Sequence, residues 1–292
     1  MDGARLALFA HPAGHSVSPA MQQAALDASG LCARYEAIDV APDALAAAVA
    51  ALRSAPWWGA NVSVPHKETV VPLLDDLRPT ARRLGAVNTI TREGDRLVGD
   101  NTDLAGFARA LDALGTFGPG STAVVLGAGG AARAAVAALR DRGTTVVVSN
   151  RSVARAEALV AELGAGGATV VAPGDLAAAV QAADLLVQTT TVGMAGGPPG
   201  SPLPAGLLPR AGAVVDLVYR PARTPLLRAA AAAGLSVQNG LPMLVWQGAA
   251  AFEAWTGRSA PVDAMGRAAE AALGGPGRGW TGLSEDRTEP PS

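Results

Sequence analysis

Short apolar runs alternate with alanine-rich, amphipathic stretches through most of this chain, the pattern of strands and helices taken in turn. Near the amino terminus, residues 5–10 predict a strand, followed by a turn and a helix that begins at Pro19 or Ala20. Residues 33–40 predict a second strand, an alanine-rich helix runs from Pro42 to about Arg53, and residues 59–64 (GANVSV) predict a third strand. That alternation predicts a parallel sheet covered on both faces in the first third of the chain. Residues 86–91 and 96–99 flank Glu93-Gly94-Asp95, a hairpin signal, and a helix over 104–114 follows Asp100-Asn101-Thr102-Asp103.

From residue 122 the alternation becomes regular. Strands are predicted at 122–126, 144–149, 168–172, 184–190 and 213–218, and helices at 153–163 and 175–182. A Pro/Gly loop covers 193–204, Thr224-Pro225 opens a further helix, and a short strand ends at Gln238-Asn239-Gly240. Residues 241–255 predict an amphipathic helix carrying Gln247. Periodicity stops at Gly274, which predicts a disordered tail over 274–292.

Composition narrows the class. The 292 residues suffice for two domains with a large core. A net charge of −2 argues against a nucleic-acid binder, which needs a basic face. Cys32 is the single cysteine, so no intrachain disulfide can form, and a reducing cytoplasm suits it. The amino terminus lacks the basic start and apolar core of a signal peptide, and apolar stretches such as 44–52 are too short to span a bilayer. A soluble cytoplasmic α/β protein is expected, as a monomer or a homodimer. The three histidines all precede residue 67 and lack metal-ligand spacing, so no metal site is expected.

The most specific local signal is the stretch 122–152. An apolar strand runs into Gly127-Ala128-Gly129-Gly130-Ala131-Ala132, a helix follows, and a second strand ends at Asn150-Arg151-Ser152. This is the strand–glycine turn–helix–strand unit that binds dinucleotides. Gly127 suits the tight turn, Gly129 lets backbone approach a pyrophosphate, and Ala132 permits close helix–strand packing. An NAD site places Asp or Glu at the end of the second strand, whereas Asn150, Arg151 and Ser152, with Arg155 one turn on, suit a 2′-phosphate. NADP is therefore the expected cofactor.

A second signal is Lys67. It is the only lysine among 23 basic residues; all the others are arginine. A lysine kept where arginine supplies charge elsewhere points to what arginine cannot do, releasing and regaining a proton. Lys67 stands just past a strand end, the edge at which open α/β sheets bind ligands. Ser16 and Ser18 precede a helix that they could cap or at whose start they could hold a carboxylate. Asp103 lies at the junction with the dinucleotide unit, where a cleft between domains is expected.

Taken together, the motifs resemble the shikimate dehydrogenase family from about residue 6 to residue 265. Ser16-Val17-Ser18-Pro19 is similar to that family's S-x-S-P, and Asn61-Val62-Ser63-Val64-Pro65-His66-Lys67 to its N-V-T-x-P-x-K. Ala86-Val87-Asn88-Thr89 and Asn101-Thr102-Asp103 resemble A-V-N-T and N-T-D. Gly127 to Ala131 resembles G-A-G-G-A, and Asn150-Arg151-Ser152 resembles N-R-T. Asp216-Leu217-Val218-Tyr219 and Gly240-Leu241-Pro242-Met243-Leu244, with Gln247, resemble its closing segments. One stretch departs: Gln188-Thr189-Thr190-Thr191-Val192-Gly193-Met194 stands where the family has N-A-T-P-L-G-M.

The resemblance implies an NADP-dependent enzyme that reversibly reduces 3-dehydroshikimate to shikimate. It implies Lys67 as general acid, or base in reverse, with Asp103 holding it. Ser16, Ser18 and Tyr219 would hold the substrate carboxylate, and Ser63, Asn88, Asp103 and Gln247 its ring hydroxyls. Cofactor contacts are implied for Gly127, Ala128, Gly129, Gly130, Ala131, Asn150, Arg151, Ser152, Arg155, Thr190, Val218, Gly240 and Met243. The architecture implied is a substrate domain over 1–102, completed by a helix over 241–266, and a Rossmann-type NADP domain over 103–236. A quinate or aminoshikimate dehydrogenase, or a nucleotide-sensing regulator of the same fold, are the alternatives.

Overall fold

The computed structural model describes residues 3–163 and 166–275. The elements of the first part are β1 (Ala4–Ala10), α1 (Ser18–Ala28), β2 (Ala33–Asp39), α2 (Leu45–Ala51), β3 (Trp57–Val62), β4 (Asp76–Leu77), α3 (Pro79–Leu84), β5 (Thr89–Glu93), β6 (Arg96–Asp100) and α4 (Asp103–Asp112). There follow β7 (Thr122–Leu126), α5 (Gly130–Asp141), β8 (Thr145–Ser149), α6 (Val153–Leu163), β9 (Ala168–Val170), α7 (Leu176–Ala182), β10 (Leu185–Gln188), β11 (Ala213–Asp216), α8 (Pro225–Ala232) and β12 (Ser236–Gln238). The last two are α9 (Leu241–Thr256) and α10 (Val262–Ala272). Two compact units result, one running to Gly106 and resuming at Leu244, the other spanning Phe107–Met243. No helix among the described residues is long and apolar enough to cross a membrane.

The first unit is built on a six-stranded sheet of order β2-β1-β3-β5-β6-β4. β1 lies parallel to β2 and β3, but β5 is antiparallel to both β3 and β6. The sheet is thus mixed, not parallel throughout as the strand–helix alternation predicts. Its cause is local: β5 and β6 join through the tight turn at Gly94-Asp95, with Glu93 opposite Arg96, and so short a connection can only reverse the chain. Phe9, Ala60, Val62, Ile90 and Leu97 from this sheet pack with Leu45, Val49 and Leu52 of the α2 segment. Each such fully buried large apolar side chain contributes about 1.5–3 kcal/mol. The helix expected over 241–266 is two helices, α9 and α10, interrupted by the Gly257–Pro261 segment, where a glycine and a proline both disfavour helix.

The second unit carries six strands in the order β12-β11-β10-β7-β8-β9, with every neighbouring pair parallel. The order reverses between β7 and β10, which makes a topological switch point at the carboxyl edge. Ala132, Ala134, Ala135, Val136, Ala137, Ala138 and Leu139 of α5 are all buried. Their small side chains suit close packing of the helix, as expected for the helix after a glycine turn. The tail expected over 274–292 lies, beyond Gly275, outside the described residues.

Candidate active site

In the first unit, four side chains named from the sequence meet in one hydrogen-bonded group. Lys67 follows the turn that ends β3, and its Nζ donates to Asp103 Oδ2 at 2.5 Å. Asp103 opens α4, where a carboxylate is favoured by the helix dipole, and its own N–H donates to Asn101 Oδ1 at 3.0 Å. Its other carboxylate oxygen, Oδ1, accepts from Asn88 Nδ2 at 2.8 Å, and Asn88 Nδ2 also lies 3.2 Å from Gln247 Oε1. The Lys67 side chain keeps 16% exposure against 4% for Asp103, so the ammonium borders solvent while the carboxylate beneath it is enclosed.

The orientation of Asn88 is over-determined. Its Oδ1 accepts the Thr102 backbone N–H at 2.8 Å and lies within reach of the Thr89 and Thr102 hydroxyls at 3.0 and 3.1 Å. A backbone N–H can only donate, so the amide must present Nδ2 to Asp103. Beneath it, Asn61 Nδ2 donates to Asn88 O at 3.1 Å and to Thr89 Oγ1 at 3.2 Å, and Tyr35 Oη donates to Asn61 Oδ1 at 2.8 Å. Burial raises the Tyr35 pKa, keeping the phenol a neutral donor. Asn61, Thr89, Thr102 and Tyr35 therefore belong to the site as supports. Three of them lie inside the quoted motifs, but sequence does not separate a support from a contact; Tyr35 carries no motif at all.

The remaining predicted substrate residues of this unit lie on neighbouring segments. Ser63 and Val64 continue the β1–β3 pairing beyond the strands, with Ser63 N–H on Phe9 O at 2.9 Å and His11 N–H on Val64 O at 3.1 Å. His66 is buried, with its ring Nε2 2.7 Å from Val40 O, so it anchors the turn that precedes Lys67. Ser16 Oγ accepts the N–H of Ser18, the first residue of α1, at 3.2 Å, while Val17 at the cap position makes no side-chain bond. The Ser16 hydroxyl thus serves the start of α1 as a cap would. One turn beyond Ser18, Gln22 Nε2 donates to Gly248 O at 2.9 Å, tying α1 to the segment of α9 that carries Gln247. Tyr219 belongs to the second unit, just beyond β11.

In the second unit the glycine turn has the geometry of a phosphate cradle. Gly127 sits at φ +116°, and a Cβ there would lie 2.3 Å from Thr189 Oγ1, so a side chain is excluded twice over. Gly129 caps α5 in an extended conformation with no side chain bonded to the first N–H groups, and a Cβ there would meet nothing within 4 Å. Open space over uncapped helix N–H groups is what an anion needs. At the end of β8, Asn150 Nδ2 donates to Ser152 O at 2.9 Å and shapes the turn on which Arg151 is exposed. Arg155 is exposed one turn into α6. These residues fit a dinucleotide bearing a 2′-phosphate. Gly240 N–H donates to Val218 O at 3.2 Å, and Thr190 follows β10, so both groups lie at the same carboxyl edge, while Met243 is buried near the start of α9.

Comparison with known families gives three matches in chain order: a shikimate dehydrogenase substrate binding domain over residues 8–90, shikimate / quinate 5-dehydrogenase over 113–194, and a shikimate 5′-dehydrogenase C-terminal domain over 240–270. The shikimate dehydrogenase (NADP(+)) of Symbiobacterium thermophilum is 48% identical over 281 residues, covering 94% of this chain and 96% of that one. This chain belongs to the shikimate dehydrogenase family. Solved structures of the family agree. Shikimate 5-dehydrogenase from Thermus thermophilus, in complex with NADP(H) and shikimate, matches with a TM-score of 0.83 at 46% identity, over 92% of this chain and 100% of that one. Quinate dehydrogenase from Corynebacterium glutamicum, in complex with NAD, matches with a TM-score of 0.83 at 30% identity, over 92% and 99%.

Two residues that sequence reasoning left without a role stand out once the family is known. Asp216, inside the Asp216-Leu217-Val218-Tyr219 motif, is fully buried at the end of β11. Its carboxylate accepts the Val218 N–H at 3.0 Å and the Thr224 hydroxyl at 2.6 Å, and Thr224 Oγ1 in turn caps α8. Burial pushes its pKa up to about 6 despite those two bonds. Gln188, the first residue of the stretch that departs from the family, is the other.

Proposed function

We propose that this protein is an NADP-dependent shikimate dehydrogenase, reversibly reducing 3-dehydroshikimate to shikimate in chorismate and aromatic amino-acid biosynthesis, and that it works in the cytoplasm. The observation that carries this reading is the 2.5 Å contact of Lys67 with Asp103, held by Asn88 within reach of Gln247. Membership of the family supports it, as do relatives named shikimate dehydrogenase (NADP(+)) at 46–48% identity.

Bound NADPH would supply the hydride that adds to the ring carbonyl carbon. The carbonyl oxygen then gains negative charge and needs a proton. Lys67 gives that proton in reduction and takes it back in oxidation, a contribution of about 10²–10⁴ in rate for a positioned acid–base group. Asp103 keeps the ammonium aimed and leaves Lys67 hydrogens for the substrate oxygen. Ser16, Ser18 and Tyr219 take the carboxylate, and Ser63, Asn88, Asp103 and Gln247 take the hydroxyls. A polyhydroxylated acid demands so many polar partners, because each buried hydroxyl left unpaired costs about 1–3 kcal/mol. Arg151, with Asn150, Ser152 and Arg155, receives the 2′-phosphate, and the turn from Gly127 to Ala131 receives the pyrophosphate.

The test is absorbance at the reduced-nicotinamide band, with shikimate, quinate and an aminoshikimate each offered with NADP and with NAD. Rapid reduction with shikimate and NADP is expected. Preference for quinate and NAD would make the protein a quinate dehydrogenase, and preference for the amino substrate an aminoshikimate dehydrogenase. Silence with every pair, in protein that binds NADPH, would make it a nucleotide sensor.

A further inference from the structure

Gln188 ends β10 with no exposed surface, a costly place for a primary amide unless its polar atoms are answered. All of them are, and by one short segment. The two hydrogens of Nε2 are shared among Thr190 Oγ1 at 2.9 Å and the carbonyls of Thr190 and Val192, each at 3.2 Å, while Oε1 accepts the Thr190 N–H at 2.8 Å. Thr190 Oγ1 accepts the Val192 N–H at 3.2 Å and closes the knot. Residues 190–192 have no strand or helix to satisfy their backbone; this side chain takes that place. The family pattern N-A-T-P-L-G-M has a proline where this chain has Thr191, so the segment lacks a covalent restraint on φ and relies on the amide.

The segment that Gln188 ties down borders the glycine turn. Thr189 Oγ1 donates to Leu126 O at 2.7 Å, and a Cβ on Gly127 would lie 2.3 Å from Thr189 Oγ1 and 3.2 Å from Thr190 Cγ2. β7 and β10 are also the two strands between which the sheet order reverses. A dinucleotide in such a sheet lies across that point, one half toward β8 and the other toward β10. Arg151 stands on the β8 side, so the half facing Thr190 is the one that carries the nicotinamide.

We infer that Gln188 is a positioning residue for the nicotinamide half of the cofactor, acting through Thr190 and Val192 and not by touching the ligand. The inference rests on the NADP reading above. It predicts a selective defect: loss of the amide loosens the wall on one side of the switch point and leaves the adenosine side alone.

Calorimetric titration of the full chain with NADPH and with adenosine 2′,5′-bisphosphate, which has no nicotinamide, tests it. Gln188→Met keeps the volume and removes the amide. Its NADPH affinity is expected to fall about tenfold, and its affinity for the fragment to stay within about twofold. Gln188→Asn keeps an amide but is one methylene too short to span both Thr190 and Val192; a loss of about threefold, again for NADPH alone, is expected and carries the test if the Met variant fails to fold. Unchanged NADPH binding in the variants, or equal weakening of both ligands, overturns the inference while the NADP reading stands. A parent protein that binds neither ligand overturns both.

Discussion

At the scale of the residue, the chemistry turns on whether position 67 can exchange a proton. Lys67→Ala is expected to lower kcat by about 10²–10⁴-fold while NADPH affinity stays near that of the parent. Lys67→Arg is the sharper variant. A guanidinium keeps the charge and can still pair with the buried Asp103, but it does not deprotonate in a protein. Steady-state turnover with shikimate and NADP should therefore fall nearly as far for arginine as for alanine. An arginine variant within about tenfold of the parent would remove Lys67 from the proton-transfer step and leave it an electrostatic role. Arg151 answers a different question at the same scale. Arg151→Ala should weaken NADP by about 10–100-fold, the loss of one charge-assisted contact worth about 1.5–3 kcal/mol, and leave NAD nearly unchanged. Equal losses for the two cofactors, measured as KM side by side, would put the 2′-phosphate elsewhere.

Among elements, the approach of α4 to α9 decides where Gln247 stands. A Cβ on Gly106 would lie 2.7 Å from Gln247 Cβ and 2.8 Å from its backbone N, so Gly106→Ala must push the two helices apart. Overpacking of this kind costs about 1–3 kcal/mol. It should also raise the KM for shikimate more than the KM for NADP, because Gln247 belongs to the first unit and the glycine turn to the second. A shift in melting temperature with both KM values intact would mean that Gln247 tolerates the displacement. The strand–turn–helix unit from Thr122 to Ser149 was legible in the chain because its periodicity and its glycines agree. The β5–β6 hairpin was legible too, but its consequence for strand direction was not, since alternation alone suggests parallel strands and only the observed pairing shows β5 reversed against β3. The supports of the site escaped for a similar reason. Tyr35, Asn61 and Thr89 meet through side chains some 26 to 28 residues apart in sequence, and no local pattern encodes that contact. Gln188 looked like a departure from a motif; its reach to Val192 is visible only in three dimensions.

For the whole molecule, acid should act on the two units in opposite senses. Hydrogen bonds hold three exposed carboxylates of the first unit below the ordinary range: Asp39 through His11 and the Ala13 N–H, Asp75 through Arg53 and the Leu97 N–H, and Asp76 chiefly through the Leu77 N–H. A lowered carboxylate stabilises the fold above its unfolded pKa, and that support is lost as pH falls through the folded value. Asp216 in the second unit does the reverse. Burial raises it from 3.8 to about 6, so its contribution is complete below pH 3.8 and is lost as pH rises through about 6. The raised pKa corresponds to about 3 kcal/mol across that window. All three histidines lie at or before residue 66, so no histidine titration in the second unit masks it between pH 5 and 7. Two units need not unfold as one transition. Calorimetry at pH 7 and pH 5 should therefore show the second unit's transition, identified by its upward shift with NADPH, rising by several degrees relative to the first, at about 2–8 °C per kcal/mol. Asp216→Asn keeps an acceptor for the Val218 N–H and a polar group for Thr224, but it has no proton to gain. Its second transition should stay put between the two pH values. If it moved as the parent's does, the acid response would come from another group, and burial of Asp216 would not be its cause.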